Sequence, residues 1–296
     1  MVEDISAQFI SMKTLIQYRK LVWSTFLEVL ATLLTLWTVV ELCIDEISIC
    51  CKISVAIGVV ILSAIIALCK IMHHPESKEL EINNRTKLII EKGDIFDVSK
   101  NSACVIPVND YFDTHLGNGI INSSTIHGKF LKRFEGRIPQ LRKDIDAQLA
   151  KIQPLPVDRT RTQVPGLPQK RYPLGTYIRI FDDEQVFILV AASRFNKDEH
   201  PEVVAEEYPE MVRKMYKGIE NLHDGRTVYL PLIGSGLSGY GLTNMQMLNT
   251  LVQAAYNADK LAITEGIRIR IYTDNDWKSL NLNVIEYLFD RWKTLK

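Results

Sequence analysis

The glycine-rich segment at residues 231–241 (PLIGSGLSGYG) is the part of this chain best suited to chemistry. It follows an apolar run typical of a strand and precedes a helical pattern that begins near Thr243. Glycines lack a Cβ, so backbone N–H groups can crowd around an anion, and the next helix N-terminus adds partial positive charge. We therefore expect a phosphate to be held by Gly234, Ser235, Gly236, Leu237, Ser238, Gly239 and Tyr240.

Two familiar glycine-rich sites do not fit this loop. Residues 234–239 match the G-x-G-x-x-G pattern of Rossmann dinucleotide sites, which need further βαβ units and an acidic residue closing the second strand. Asp259 has the right offset but falls at a helix end, and only one predicted strand and one helix follow. A Walker A loop needs G-x-x-x-x-G-K-[ST], and neither this loop nor the segment around Lys129 provides it.

The composition limits the partners of this chain. It has 296 residues, and 35 Lys and Arg balance 35 Asp and Glu, so the formal net charge is zero. A neutral chain does not attract a polyanion by bulk charge, and we expect no nucleic-acid partner. The five cysteines show neither metal-ligand spacing nor a disulfide framework, which predicts no metal site and favours a reducing compartment.

Two apolar runs, residues 21–40 and 53–69, predict a transmembrane helical hairpin within residues 21–72, because each is long enough to cross a bilayer. The alternative, a buried hairpin of a soluble core, is disfavoured because the apolar residues surround each helix. Glu28 is expected to face another helix or an aqueous lumen, or to reach toward the interface.

The basic residues predict the orientation of the hairpin. Lys and Arg are concentrated in the N-terminal segment, residues 1–20, and after the second run, which predicts that both termini lie in the cytoplasm. In the second run small residues stand four apart, Ser54 with Gly58 and Ser63 with Ala67, a spacing typical of spans that associate.

The remainder of the chain predicts an α/β domain. Residues 73–85 are polar and are interpreted as a linker, and residues 86–296 alternate strand and helix patterns. We expect a three-layer α/β/α fold around a mixed sheet of about six strands. Residues 137–175 contain six prolines and a net charge of +5, which favours a solvated insertion over a basic flap that closes on phosphates or lipid headgroups.

Three motifs in this domain resemble the macro domain family of ADP-ribose-binding modules. They are GDI at residues 93–95, VIPVN at 105–109 followed by GNGI at 117–120, and the loop at 231–241. The resemblance covers residues 86–296 and implies an ADP-ribose-derived ligand with no cofactor.

The resemblance also implies roles for single residues. Asp94, next to Ile95, would accept a hydrogen bond from the adenine amine, and Asn109 would contact the distal ribose. Backbone groups of Gly117, Asn118, Gly119 and Ile120 would approach ribose and phosphate. Tyr272, after the last strand, would stack on adenine unless it belongs to the core.

The chain departs from the macro domains that hydrolyse ADP-ribose linkages. Those have an asparagine three residues before the position of Asn109, where this chain has Ile106. The sequence also offers no nucleophile–base pair and no paired carboxylates in the expected pocket. We therefore expect no catalytic residue and a ligand-reading role.

Two spans joined to a macro domain resemble the membrane effectors of Thoeris antiphage defence. That resemblance implies a signal made from NAD by a TIR-domain enzyme, such as a histidine–ADP-ribose conjugate. Its binding would drive homo-oligomerisation and disruption of the lipid bilayer. The alternatives are a membrane-anchored ADP-ribosyl hydrolase and a tethered reader of ADP-ribosylated proteins.

Overall fold

The computed structural model describes residues 19–42, 44, 48–73, 75–157, 160–162, 164–202, 205–235, 241–258 and 260–294. They divide into two compact units, residues 1–75 with 281–296, and residues 76–280. The elements are, in chain order, α1 (Arg19–Leu42), α2 (Ile49–Met72), β1 (Ser77–Asn83), β2 (Thr86–Lys92), β3 (Ser102–Asn109), α3 (Ile126–Arg133), α4 (Ile138–Leu149), β4 (Tyr177–Asp182), β5 (Gln185–Phe195), β6 (Pro201–Glu202), α5 (Tyr208–Leu222), β7 (Thr227–Pro231), α6 (Asn244–Tyr256), β8 (Ile267–Ile271), α7 (Asp274–Lys278) and α8 (Leu282–Lys293).

The first unit contains the two predicted apolar helices. Both α1 and α2 have 24 residues and are apolar enough to cross a membrane, so the predicted pair of long apolar helices is present, and its crossing of a membrane stays a prediction. Ion pairs join the helices near both ends and show that they run antiparallel. Glu28 lies 3.7 Å from Lys70, and Glu41 pairs with Lys52. Glu28 is thus matched by a lysine of the neighbouring helix.

The small residues of α2 divide into two pairs. Ser63 and Ala67 are buried, and the Ser63 hydroxyl donates to the carbonyl of Val59. Ser54 and Gly58 are exposed, and an added Cβ at Gly58 would meet nothing within 4 Å. Among the described residues, the Ser63–Ala67 pair is therefore covered and the Ser54–Gly58 pair is not.

The last helix of the chain is attached to the end of α2. The Asn283 side chain donates to three carbonyl oxygens there, those of Lys70 (3.1 Å), Ile71 (3.3 Å) and His73 (2.9 Å). A helix ends with carbonyls that have no partner inside the helix, so this amide acts as a C-terminal cap supplied by α8.

The second unit is built on one sheet with the order β1-β2-β8-β7-β3-β5-β4, and β6 pairs with β5. Strands β2, β8, β7, β3 and β5 are parallel, and β1, β4 and β6 join as antiparallel strands. The α/β fold with a mixed sheet was therefore predicted correctly. The described residues contain eight strands instead of about six because β1 and β6 were not expected.

Strand β1 corrects the interpretation of residues 73–85 as a linker. Its outward positions include Glu79 and Glu81, which made the segment appear solvated, whereas Leu80 and Ile82 between them are buried. Side chains alternate between faces in a strand, so a highly polar edge strand can still bury one row.

Helices cover both faces of the sheet. Helices α3 and α4 bury Phe130, Leu131, Leu141 and Ile145 in one cluster with alternate residues of β3 and β5. Helix α5 contacts β4 and β5 and also packs on α6. These layers leave the carboxyl ends of the five parallel strands at a single edge of the sheet.

Candidate functional site

One cavity of about 1060 Å³ lies at the carboxyl ends of the parallel strands. Segments that follow or end β2, β3, β5, β7 and β8 all contribute to its wall. Parallel strands end at a common edge, so loops distant in the sequence converge there. This edge is where ligands of open α/β sheets bind.

Nine of the predicted site residues line this cavity, namely Asp94, Ile95, Asn109, Gly117, Gly119, Ile120, Gly234, Ser235 and Tyr272. Asn118 belongs to the same loop, but its Nδ2 lies 3.2 Å from Nε2 of His115 and it is not part of the wall. Gly236, Leu237, Ser238, Gly239 and Tyr240 fall outside the described residues. Ligand contact by each of these residues stays a prediction.

Asp94 is held in place by the turn that follows β2. Its Oδ1 accepts from the backbone N–H of Phe96 at 3.0 Å, and Oδ2 lies 3.2 Å from Nζ of Lys129. The ring of Tyr272 is 59% exposed and has the same ammonium 4.0 Å from its centroid. A carboxylate acceptor and an aromatic face are thus adjacent in the cavity wall.

The first glycine loop is a tight turn. Gly117, Asn118 and Gly119 have φ of 85°, 50° and 77°, a left-handed conformation that glycine adopts without penalty. The N–H of Gly117 donates to Ile121 and that of Ile120 donates to Gly117. Among described residues, the N–H groups of Asn118 and Gly119 bond to no other part of the chain. Two of the four expected amides are therefore available to a ligand.

Gly128 allows this loop to lie against α3. A Cβ at Gly128 would stand 2.1 Å from the carbonyl oxygen of Asn122, whereas its N–H donates to Thr125 Oγ1 at 3.0 Å. Thr125 is the N-cap of α3, and its hydroxyl donates in turn to Asn122. The contacts that hold residues 122–128 together consequently leave no room for a side chain at position 128.

Asn109 ends β3 and is buried, and its amide is bonded within the chain. Its Oδ1 accepts from the backbone N–H of Tyr111 and Asp113, each at 3.2 Å, and its Nδ2 donates to Asp113 Oδ2 at 2.8 Å. A carboxamide has two acceptor lone pairs and two donor hydrogens. The described contacts leave one N–H for the expected ribose contact.

A buried ion network behind Asn109 was missed by sequence reasoning. Arg161 donates to both oxygens of Asp113 at 2.8 Å and to both oxygens of Glu199 at 2.5–3.0 Å, with all three side chains at most 3% exposed. Its guanidinium also lies 4.0 Å from the centroid of the Tyr111 ring. Glu199 lines the cavity and has φ of 59°, an uncommon conformation for a residue with a side chain.

Residues 137–175, which include Arg161, supply a second ion pair to a buried carboxylate. Arg171 pairs with buried Asp110 at 2.5 Å, and the backbone N–H of Phe195 donates to the other oxygen at 3.1 Å. Burial raises the pKa of Asp110, although Arg171 opposes this shift. Many of the described residues in 137–175 are exposed, as in a surface insertion, but the segment is not solvated throughout. Helix α4 and two arginines attach it to the body of the domain, and none of its described residues lines the cavity.

The described start of the second glycine loop is tied to the helices. Gly234 has φ of 95°, and the Ser235 hydroxyl donates to the carbonyl of Leu232 at 2.9 Å. The Tyr208 hydroxyl donates to the carbonyl of Ile233 at 2.9 Å. A capping box of Thr243 and Gln246 is present where α6 begins, at the position predicted for the helix start.

The cavity contains one buried histidine. Burial lowers the pKa of His127 to about 4, against the opposing charge of Asp113, so its ring is neutral near pH 7. Within the described residues no group of three His, Cys, Asp or Glu side chains is arranged to hold a metal ion. The wall instead offers backbone amides, the carboxylate of Asp94 and the exposed ring of Tyr272, which suit a nucleotide.

Comparison with known proteins gives three findings. Residues 88–272 match a family model described as the macro domain of Thoeris protein ThsA. Thoeris protein ThsA of Bacillus amyloliquefaciens (strain Y2) is 27% identical over 237 residues, covering 78% of this chain and 77% of that protein. Two similar solved structures are the Oceanobacillus iheyensis macrodomain with ADP (14% identity, TM-score 0.43, 73% and 97% covered) and the Trypanosoma brucei macrodomain in complex with ADP-ribose (13%, 0.41, 67% and 68%).

Proposed function

Because the chain belongs to the family of Thoeris ThsA macro domain proteins, we propose that it is a membrane effector of antiphage defence. Its cavity binds an ADP-ribose-derived signal, such as the histidine conjugate, that a TIR-domain partner makes from NAD. Binding drives the chains to associate, and the hairpin α1–α2 then disrupts the inner membrane. In this proposal both termini lie on the cytoplasmic side of the membrane.

The cavity at the carboxyl edge of the sheet is the observation that carries this proposal. It brings together a carboxylate acceptor (Asp94), an exposed aromatic face (Tyr272) and the glycines of two loops. Its volume of about 1060 Å³ is at the upper end of the usual range for small-molecule sites, which suits a ligand the size of ADP-ribose or a conjugate. Asp94 can accept from the amine of a base, Tyr272 can stack on the base plane, and the N–H groups of the glycine loops can bind a diphosphate.

The hairpin supports the membrane part of the proposal. Its outward side chains are mostly apolar, and the Ser54–Gly58 pair is exposed. Small residues four apart allow close helix approach in lipid, so this face suits a contact between copies. A ligand drives such association only if it binds the assembled state more tightly.

A reading role is proposed in preference to catalysis. Ile106 is fully buried, and the Asn109 amide is engaged by its neighbours. The cavity carboxylate Glu199 is held by Arg161, which opposes its use as a base. The described wall thus supplies recognition groups without an evident group to activate water.

Calorimetry of the full chain in detergent with ADP-ribose and its histidine conjugate tests the binding step. We expect Asp94→Ala to weaken binding by about tenfold or more, because it removes a charged hydrogen-bond acceptor. Asp97→Ala is the matched control, since Asp97 is exposed on the same turn and is not part of the cavity wall. Equal affinities for all three proteins would contradict the assigned site.

Measurements of liposome leakage and of substrate turnover distinguish the proposed effector from the two alternatives, a hydrolase and a tethered reader. We expect ligand to release dye from vesicles with the wild-type chain and not with Asp94→Ala. Steady release of ADP-ribose from a modified protein would instead establish a hydrolase. Ligand binding without leakage or change of oligomeric state would favour a tethered reader.

A further inference from the structure

The ammonium of Lys129 lies between Asp94 and Tyr272 in the cavity wall. Its Nζ is 3.2 Å from Asp94 Oδ2 and 4.0 Å from the centroid of the Tyr272 ring. The three residues come from separate parts of the fold, namely α3, the turn after β2 and the end of β8. Burial lowers the pKa of Lys129, but Tyr272 and Asp94 raise it more, so the lysine is charged.

This position coincides with the place that an amino-bearing base would take. The base needs an aromatic face to stack on and an acceptor for its amine, and an ionised carboxylate only accepts. A base that reaches Asp94 must lie on the side of the Tyr272 ring that faces this carboxylate. Lys129 covers that side, so the lysine and the base exclude each other.

The remainder of the wall has few cationic side chains that could move to contact a diphosphate. Among the described residues of the wall, the only Lys and Arg are Lys129 and Arg270. The charge of Arg270 is already paired outside the wall, since its Nε lies 3.2 Å from Glu91 Oε1, and its NH1 donates to the carbonyl of Lys92 at 3.4 Å. The glycine loops offer N–H groups but no full charge to a diphosphate. Lys129, on a flexible four-carbon stem, is the cation that can move.

We propose that Lys129 is an exchangeable cation that selects ligands carrying both a base and a diphosphate. The base displaces the ammonium from Asp94 and Tyr272, and the ammonium then pairs with the anionic part of the same ligand. A nucleoside without phosphate must also displace the lysine, but it offers the ammonium no anionic partner in exchange. This inference rests on the proposed function and names a specificity-determining residue within its site.

The proposal predicts that removing the charge of Lys129 changes the affinities for adenosine and for ADP-ribose in opposite directions. In Lys129→Met the apolar stem stays and the charge is lost. We expect adenosine to bind about 3- to 10-fold more tightly, because an exposed ion pair and cation–π contact no longer compete. We expect ADP-ribose to bind about tenfold more weakly or worse, because a charged contact to the diphosphate is lost. Calorimetry of the full chain in detergent measures both.

Lys132→Met on the same helix is the control, since Lys132 is exposed and is not part of the cavity wall. It is expected to leave both affinities unchanged. Shifts of both probes in one direction with Lys129→Met, or no shift, would overturn the inference while ADP-ribose binding by the wild type still supports the proposed function. Failure of the wild type to bind ADP-ribose removes both.

Salt provides a second measurement that does not depend on folding of the variant. Salt screens the partly exposed pair of Lys129 and Asp94 and also the contact of the lysine with a diphosphate. Raising the salt concentration should therefore strengthen adenosine binding and weaken ADP-ribose binding to the wild type. Weakening of both by the same factor would contradict an exchange of partners by Lys129.

Discussion

Arg161 and Asp113 are joined by two hydrogen bonds of 2.8 Å, although neither side chain is exposed to solvent. The same guanidinium binds Glu199, so one side chain of the insertion links the segment after β3 to the turn before β6. Both segments border the cavity through Asn109 and Glu199. The shape of the site therefore depends on a residue that does not line it.

Replacing Arg161 with methionine should be severely destabilising. The change leaves two buried carboxylates without their cation, which typically costs about 3–5 kcal/mol. Denaturant unfolding of the full chain in detergent, followed by tryptophan fluorescence, would measure the loss. Arg213→Met is the control, because its pair with Glu210 is exposed and surface ion pairs contribute little to stability. Equal losses of unfolding free energy in the two variants would show that burial does not determine how much these ion pairs stabilise the protein.

Gly128→Ala should displace the loop at residues 122–123, which lines the cavity after the first glycine loop. The new methyl group would stand 2.1 Å from the carbonyl oxygen of Asn122 and 2.7 Å from Cα of Ser123, and these backbone atoms cannot move aside as a flexible side chain would. We expect a lower melting temperature and at least about tenfold weaker ADP-ribose binding, as expected when a positioned site shifts by about 1 Å. Lys132→Ala on the same helix should preserve both properties. Normal ADP-ribose affinity in Gly128→Ala would mean that this loop does not position the ligand.

The stability of the α/β unit should fall as the pH is lowered from 6.5 to 4. Burial lowers the pKa of His127 from 6.5 to about 4, so across this window the unfolded chain takes up a proton that the native chain does not. The group thus contributes stability above pH 6.5 that is lost as the pH approaches 4, on the order of 3 kcal/mol in total. Melting temperatures against pH for the wild type and His127→Asn would measure it. The variant should show a shallower dependence, and identical curves would rule out this histidine as the cause.

Asn283→Ala should loosen the end of α2. The three carbonyls that this side chain caps would need other partners, and helix ends without caps fray. Hydrogen exchange of the full chain in detergent should become faster at residues 68–73 and stay the same near residue 55. Asp290→Asn, an exposed change on the same helix, should not alter exchange. Unchanged exchange in Asn283→Ala would show that the cap does not stabilise the helix end.

Local patterns predicted most of the elements that form the site. The helical pattern that follows the second glycine loop predicted the start of α6 near Thr243. Glycines between a strand and a helix, together with Asp94 and Asn109, predicted which loops meet at the sheet edge. These features are encoded over a few residues, so they are visible without the fold.

The parts that the sequence did not reveal depend on contacts between distant residues. Arg161 lies 48 residues from Asp113 and 38 from Glu199, and no local spacing marks such a partner. Lys129 appeared only in a failed phosphate-loop pattern, since its contacts with Asp94 and Tyr272 require three elements to come together. Strand β1 was hidden because its outward glutamates dominate its composition.

The acidic outer row of β1 limits how copies of this protein can join. A sheet edge with free backbone groups is a template for another strand, and long filaments grow by repeating that step. Glu79 and Glu81 would place like charges against the same residues of a second, antiparallel copy at this edge. Strand-by-strand pairing of copies through β1 is thereby opposed.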